Sequence, residues 1–196
     1  AAKREFATDR PIKTLQEAVV GADVFLGLSV ANVLTKEMVR SMNADPIVFA
    51  LANPNPEISY ADAMASRDDI IFATGRSDYP NQINNVLGFP YIFRGALDTH
   101  AKAINEEMKR AAVYAIADLA KQPVPDIVNE VYHVNDLAFG PKYFIPKPVD
   151  PRLITEVSAA VAKAAIESGV ARKTITDWDA YKKNLMVLLG QETKLT

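Results

Sequence analysis

Apolar and polar positions along the chain fall into two regimes. In the earlier part, short apolar runs recur at Ala22–Leu28, Pro46–Ala52 and Asp69–Ala73. Their length and composition predict buried strands rather than helices. Between them lie segments that open on helix caps. Thr14 precedes Leu15–Val20 with Glu17 at capping-box spacing, and Gly21 closes that helix. Thr35 opens a helix to Met42 with acidic Glu37 in its first turn, and Tyr60–Ser66 is a third short helix. Strand and helix thus alternate, and the apolar runs lack strict alternation. That is the pattern of parallel strands covered by helices on both faces.

In open sheets of this kind ligands lie at the carboxyl ends of the strands. Those ends are Gly27–Leu28–Ser29, Ala52–Asn53–Pro54 and Thr74–Gly75–Arg76, three polar turns expected along one edge. The stretch Thr74–Asp98 follows the third strand directly. With a helix starting near Pro80, Ile83, Val86 and Leu87 form an apolar stripe, while Asn81, Asn84, Asn85 and Gly88 lie around the other side. Carboxamides both donate and accept, so such a face could hold a carboxylate, a hydroxyl or an amide in a cleft. The plainer reading, that paired asparagines cap or line a solvated helix start, stays open on these residues alone.

The later regime is helical. A kink is expected at Gly88–Phe89–Pro90, with the helix resuming to about Lys102. Ile104–Lys121 is amphipathic, with Met108, Ala112, Ala115, Ile116 and Leu119 inward, and Gln122–Pro125 stops it. Residues 126 to 142 look irregular, and Tyr143–Pro151 reads as a proline-rich extended link. Beyond it come a helix from Arg152 to Ser168 closed by Gly169, and one from Asp177 to Leu189 with Trp178, Tyr181, Leu185 and Leu188 inward. Residues 1 to 9 are expected to form one helix with Phe6 inward, and the tail QETKLT to be loose.

Composition narrows the function classes. The 196 residues carry a net charge of −2 and no basic patch interleaved with aromatics, which gives no sign of nucleic-acid binding. The chain has no cysteine, so disulfide frameworks and thiolate metal sites are excluded. No apolar run approaches membrane-spanning length. The opening AAKREFATDR has neither a signal region nor a starting methionine, and a piece of a longer cytoplasmic enzyme is expected. No glycine-rich phosphate cradle, HExxH or nucleophile elbow occurs. The two histidines, His100 and His133, are isolated, and the pairs Asp68–Asp69 and Glu106–Glu107 point apart in regular structure.

Four segments together carry a resemblance: GADVFLGLS, FALANPNPEI, IFATGRSDYPNQINNVLGFPYIFRGALD and FGPKYFIPKPVDPRL. In this order they resemble the C-terminal cofactor-binding domain of bacterial-type malic enzymes. The block from Thr74 to Asp98 is the specific part. The resemblance implies an α/β fold: the second half of a Rossmann-type doubly wound parallel sheet, followed by C-terminal helices. It divides the chain into an NAD(P)-binding portion, residues 1–125, and a helical extension, residues 126–196.

The activity implied is oxidative decarboxylation of malate to pyruvate and carbon dioxide with NAD or NADP and magnesium or manganese. Ser29, Asn53 and Asn85 are implied as cofactor-binding, and Asn53, Asn84 and Asn85 as substrate-binding. Arg76 either attracts an anionic substrate or braces its loop by ion pairing. The family's catalytic tyrosine and lysine, its acidic metal ligands and its glycine-rich turn all fall upstream of residue 1. No catalytic or metal-ligating residue is therefore assigned here, and the chain alone is expected to be inactive and to expose a sheet edge. The implied partners are the rest of the enzyme and a second copy in a homo-oligomer. Two other readings remain: another NAD(P)-dependent hydroxy-acid or amino-acid dehydrogenase, and a non-catalytic nucleotide-binding or assembly module.

Overall fold

The computed structural model describes residue 4 and residues 7–190. The expected N-terminal helix carrying Phe6 and the expected loose tail lie outside the described residues. The chain packs as two units, one ending at Tyr79 and one beginning at Pro80. We keep as a proposal the division at residue 125 between a Rossmann-like NAD(P)-binding portion and a C-terminal helical extension packing on it.

The first unit runs α1 (Leu15–Val19), β1 (Val24–Gly27), α2 (Lys36–Arg40), β2 (Ile47–Ala50), α3 (Tyr60–Ser66) and β3 (Ile71–Thr74). Local chemistry starts each helix. Thr14 and Glu17 close the full capping box, and the hydroxyls of Thr35 and Ser59 accept the N–H groups of Met38 and Asp62. The strands form a parallel sheet in the order β1-β2-β3, with Val24 opposite Ile47 and Ile47 opposite Ile71. Phe25, Val48 and Phe72 share a core with Val19, Val39 and Ala63 from the three helices.

The opposite face of β1 differs from expectation. Its burial alternates, with Phe25 and Gly27 inside and Val24 and Leu26 at 55% and 58% exposure. Helix cover in this unit lies on the Phe25 side. The exposed positions of β1 are themselves apolar, so the alternation leaves no trace in the sequence. Like β3, β1 is an edge strand, with no ladder neighbour on its far side among the described residues.

The second unit is helical: α4 (Phe89–Asp98), α5 (Glu106–Ala120), α6 (Asp126–Tyr132), α7 (Arg152–Glu167) and α8 (Trp178–Leu188). Leu87, Met108, Leu119, Leu153, Val157 and Val161 make its core. Where α4 meets α7, Gly95 allows backbone contact. A Cβ there would stand 2.7 Å from the Ser158 carbonyl oxygen and 2.8 Å from Val161 Cβ.

Several helical expectations change. No helix begins near Pro80. A single turn of 3-10 helix covers Asn85–Leu87, and α4 starts at Phe89 with Pro90 in its first turn. It ends at Asp98 rather than Lys102, because Thr99 turns its hydroxyl back onto the Gly95 carbonyl and His100 takes a left-handed conformation. Residues 126 to 132 form α6 instead of irregular chain. Pro125, read as part of a stop signal, is also the N-cap of this helix.

Tyr143–Pro151 is no free link, since Tyr143, Pro146, Lys147 and Asp150 are buried. Asp150 pairs with Arg152 at 2.7 Å, and Arg152 also donates to the Pro123 carbonyl. In α8, Leu185 is buried but Leu188 is 66% exposed. An apolar stripe marks a helix face, not how far its partner reaches along it.

Candidate functional site

The sites expected at the strand ends are built differently from one another. At the end of β1, Ser29 is exposed and its N–H donates to Glu57 Oε1 at 2.9 Å. At the end of β2, the Ala52 N–H donates to Glu57 Oε2 at 3.0 Å, and Asn53 beside it is exposed, its peptide bond to Pro54 cis. Glu57 itself is fully buried. Ser29 and Asn53 thus lie on neighbouring tips held by one carboxylate.

After β3, Thr74 is buried while Gly75 and Arg76 are exposed. Arg76 forms a two-point pair with Asp78 at 2.9 and 2.7 Å, and its guanidinium lies 5.4 Å from the centre of the Tyr79 ring. Tyr79 stacks in turn on Tyr60 at 4.5 Å. The Arg76 side chain holds the Asp78 carboxyl below its ordinary range, and Asp78 raises Arg76. Of the two readings for Arg76, the geometry matches bracing of the loop.

In the second unit the asparagines separate into three roles. Asn81 is buried with φ 54°; its amide donates to the Pro141 carbonyl at 2.7 Å and its oxygen accepts the Phe144 N–H at 3.1 Å. It is therefore a structural bridge across the chain, not part of a carboxamide face. That bridge and its left-handed backbone are why the expected helix cannot begin there. Asn84 caps the 3-10 turn by accepting the Val86 N–H at 3.0 Å. Asn85 is exposed, and its carboxamide has no hydrogen-bond partner among the described residues. Val86 is exposed too, so of the expected stripe only Leu87 is buried and Ile83 half-buried.

Glu57 escaped the sequence reading. The available signal was Gly27 within a strand, which marks a close approach by another group. A Cβ at Gly27 would lie 2.6 and 2.7 Å from the two Glu57 oxygens. A buried lysine escaped it as well. Lys147 sits over the Tyr132 ring at 4.6 Å, and burial pushes its ammonium below the ordinary lysine range.

The family model for the malic enzyme NAD-binding domain matches residues 1–140. The chain belongs to the malic enzyme family. It is 61% identical over 178 residues to an NADP-dependent malic enzyme of Rhizobium meliloti, covering 91% of this chain and 23% of that one. An NADP-dependent malic enzyme of Haemophilus influenzae is 58% identical over 184 residues, 93% of this chain and 24% of its own. The solved malic enzyme of Entamoeba histolytica superposes with a TM-score of 0.78 at 35% identity, covering 95% of this chain and 37% of that chain. The chain spans about a quarter of the length of these curated relatives.

Malic enzyme chemistry implies a dinucleotide and a divalent metal, and the residues here fit only the first. Exposed Ser29 and Asn53 stand at the carboxyl ends of adjacent parallel strands, where open α/β sheets bind dinucleotides. For the metal, no group of three or more His, Cys, Asp or Glu that could hold an ion exists among the described residues. No helix among the described residues is long and apolar enough to cross a membrane.

Proposed function

We propose that this chain is the cofactor-facing portion of an enzyme that oxidatively decarboxylates malate to pyruvate and carbon dioxide with NAD(P). The observation that carries the reading is the pair of exposed polar tips, Ser29 and Asn53, locked side by side at the ends of β1 and β2. Family membership supports the substrate, and the NADP-dependent relatives support NADP as the first cofactor to test. The bound dinucleotide supplies the hydride acceptor.

The chain's own residues bind and orient. Ser29 contacts the dinucleotide, and Asn53 lies where cofactor and malate meet. The Asn85 carboxamide, with both donor and acceptor uncommitted, holds malate and cofactor. Asn84 uses its oxygen on Val86, so its amide N–H groups are what remain for substrate. Proton transfer and metal ligation belong to the rest of the enzyme, and this chain alone turns over no malate. The apolar outer face of β1 is covered by that same remainder.

The test is an assay of the full-length protein with malate, manganese and either NADP or NAD, in the wild type and in Asn85→Ala. Turnover should fall on the order of 100-fold in the variant, the size of effect a misplaced reactant produces. Because Asn85 is exposed, the melting temperature should not move. Wild-type kinetics in Asn85→Ala would refute its role, and absence of malate turnover in the wild type would refute the activity.

A further inference from the structure

Glu57 is a fully buried acid at a place where the sheet ladder stops. The last ladder bond between β1 and β2 runs from the Leu51 N–H to the Gly27 carbonyl at 3.1 Å. The paired register of the two strands ends at Gly27 and Ala50, and the Glu57 carboxylate takes over. One oxygen accepts from Ser29 in the first loop and the other from Ala52 in the second, at 2.9 and 3.0 Å. Its own backbone extends the junction. The Leu34 N–H donates to the Glu57 carbonyl at 3.0 Å, and the Asn32 N–H to that of Pro56 at 3.2 Å.

A carboxylate is an expensive way to fill space in an interior, and an apolar side chain of similar size would do so at lower cost. What it alone supplies is two acceptors in one rigid plane, a charge-assisted bond to each loop. Gly27 leaves room for that plane, since any Cβ there would collide with both oxygens.

We propose that Glu57 is a positioning residue for dinucleotide binding, clamping the loops after β1 and β2 so that Ser29 and Asn53 keep one fixed spacing. The inference rests on the reading of Ser29 and Asn53 as cofactor-facing. Glu57 touches neither cofactor nor substrate and acts through the two backbone amides it holds. Glu57→Gln keeps the shape but replaces one acceptor by a donor that faces another N–H. Gly27→Ala leaves the carboxylate intact and displaces it from the other side.

The experiment uses the full-length enzyme in three forms: wild type, Glu57→Gln and Gly27→Ala. NADPH affinity is read by fluorescence titration, steady-state kinetics give KM and kcat separately, and amide exchange is followed in peptides covering residues 28–34 and 51–57. Both variants should bind NADPH about tenfold or more weakly, with a parallel rise in the cofactor KM and faster exchange in both peptides. A purely structural role would lower only the active fraction, and so kcat, leaving Kd and KM as in the wild type. That result overturns the proposal.

The wild-type enzyme alone provides an independent check, which decides the matter if neither variant folds. Slow exchange at the Ser29 and Ala52 amides supports the clamp, and exchange at the rate of open loops overturns it. Failure of the malate reading is a separate observation, a wild type without malate turnover, and leaves the exchange and NADPH titration interpretable.

Discussion

Asn81 and Asn85 stand four positions apart in one motif, and the structure predicts opposite consequences for losing them. Asn81→Ala removes two hydrogen bonds that tie residue 81 to Pro141 and Phe144, about 60 positions along the chain. Each such bond is worth about 1 kcal/mol net when both partners are partly buried. Alanine must also adopt the φ of 54° that asparagine tolerates, at a further cost of about 1 kcal/mol. The total is about 3 kcal/mol. For a chain of this size, each kcal/mol moves the melting temperature by about 2–4 °C, so a fall of roughly 6–12 °C is expected.

Asn81→Gly separates the contributions, because glycine takes the left-handed backbone without strain while losing the same two bonds, and its loss should be the smaller. Thermal unfolding of the wild type and both variants provides the measurement. A melting temperature within about 2 °C of wild type in Asn81→Ala would show that the bridge to Pro141 and Phe144 is not a stabilising contact. An order in which glycine is the worse replacement would show that the left-handed backbone at residue 81 adds no strain to the alanine variant.

Two further outcomes follow from packing and charge. Gly95→Ala gains up to about 1 kcal/mol of helix propensity but meets the Ser158 carbonyl and Val161 Cβ of α7, neither of which can rotate away. Overpacking of this kind costs about 1–3 kcal/mol, so the variant should melt several degrees lower, and a rise in melting temperature would refute the close contact. Asp69 is held well below the usual carboxylate range, first by Arg67 and then by the Asp45 N–H. A lowered folded-state pKa contributes stability above the unfolded value of about 3.9 and loses it as pH falls further. The urea midpoint of Asp69→Asn should therefore lie below wild type at neutral pH, with the gap shrinking only below about pH 4. A gap that persists undiminished at pH 2 would contradict this.

Much of the architecture was written in local pattern. The capping box at Thr14 and Glu17, the Thr35 cap, the three apolar strands in order and the Gly169 stop, with its positive φ, all follow from residues within one helical turn or one strand of each other. The malic enzyme likeness was also legible, because a specific linear motif from Thr74 to Asp98 carries it. At the candidate site the sequence offered a cluster of carboxamides without their geometry. Spacing on a helical wheel grouped Asn81, Asn84 and Asn85, and the grouping failed because no α-helix forms there, only a 3-10 turn over Asn85–Leu87.

What tertiary structure alone decided are the contacts that close long loops. The Glu57 carboxylate meets an amide 28 residues away, and the Asn81 side chain reaches partners 60 and 63 residues on. Neither distance leaves a periodicity to read. The same holds for the outer face of β1, where apolar side chains occupy both covered and uncovered positions, and for Leu188, whose stripe outruns its burial. Sequence determined which segments become strands and helices, because those choices are settled by backbone sterics and near neighbours. Which polar groups become interior joints and which remain available to a ligand was decided by folding, because burial depends on what packs against a residue from elsewhere in the chain.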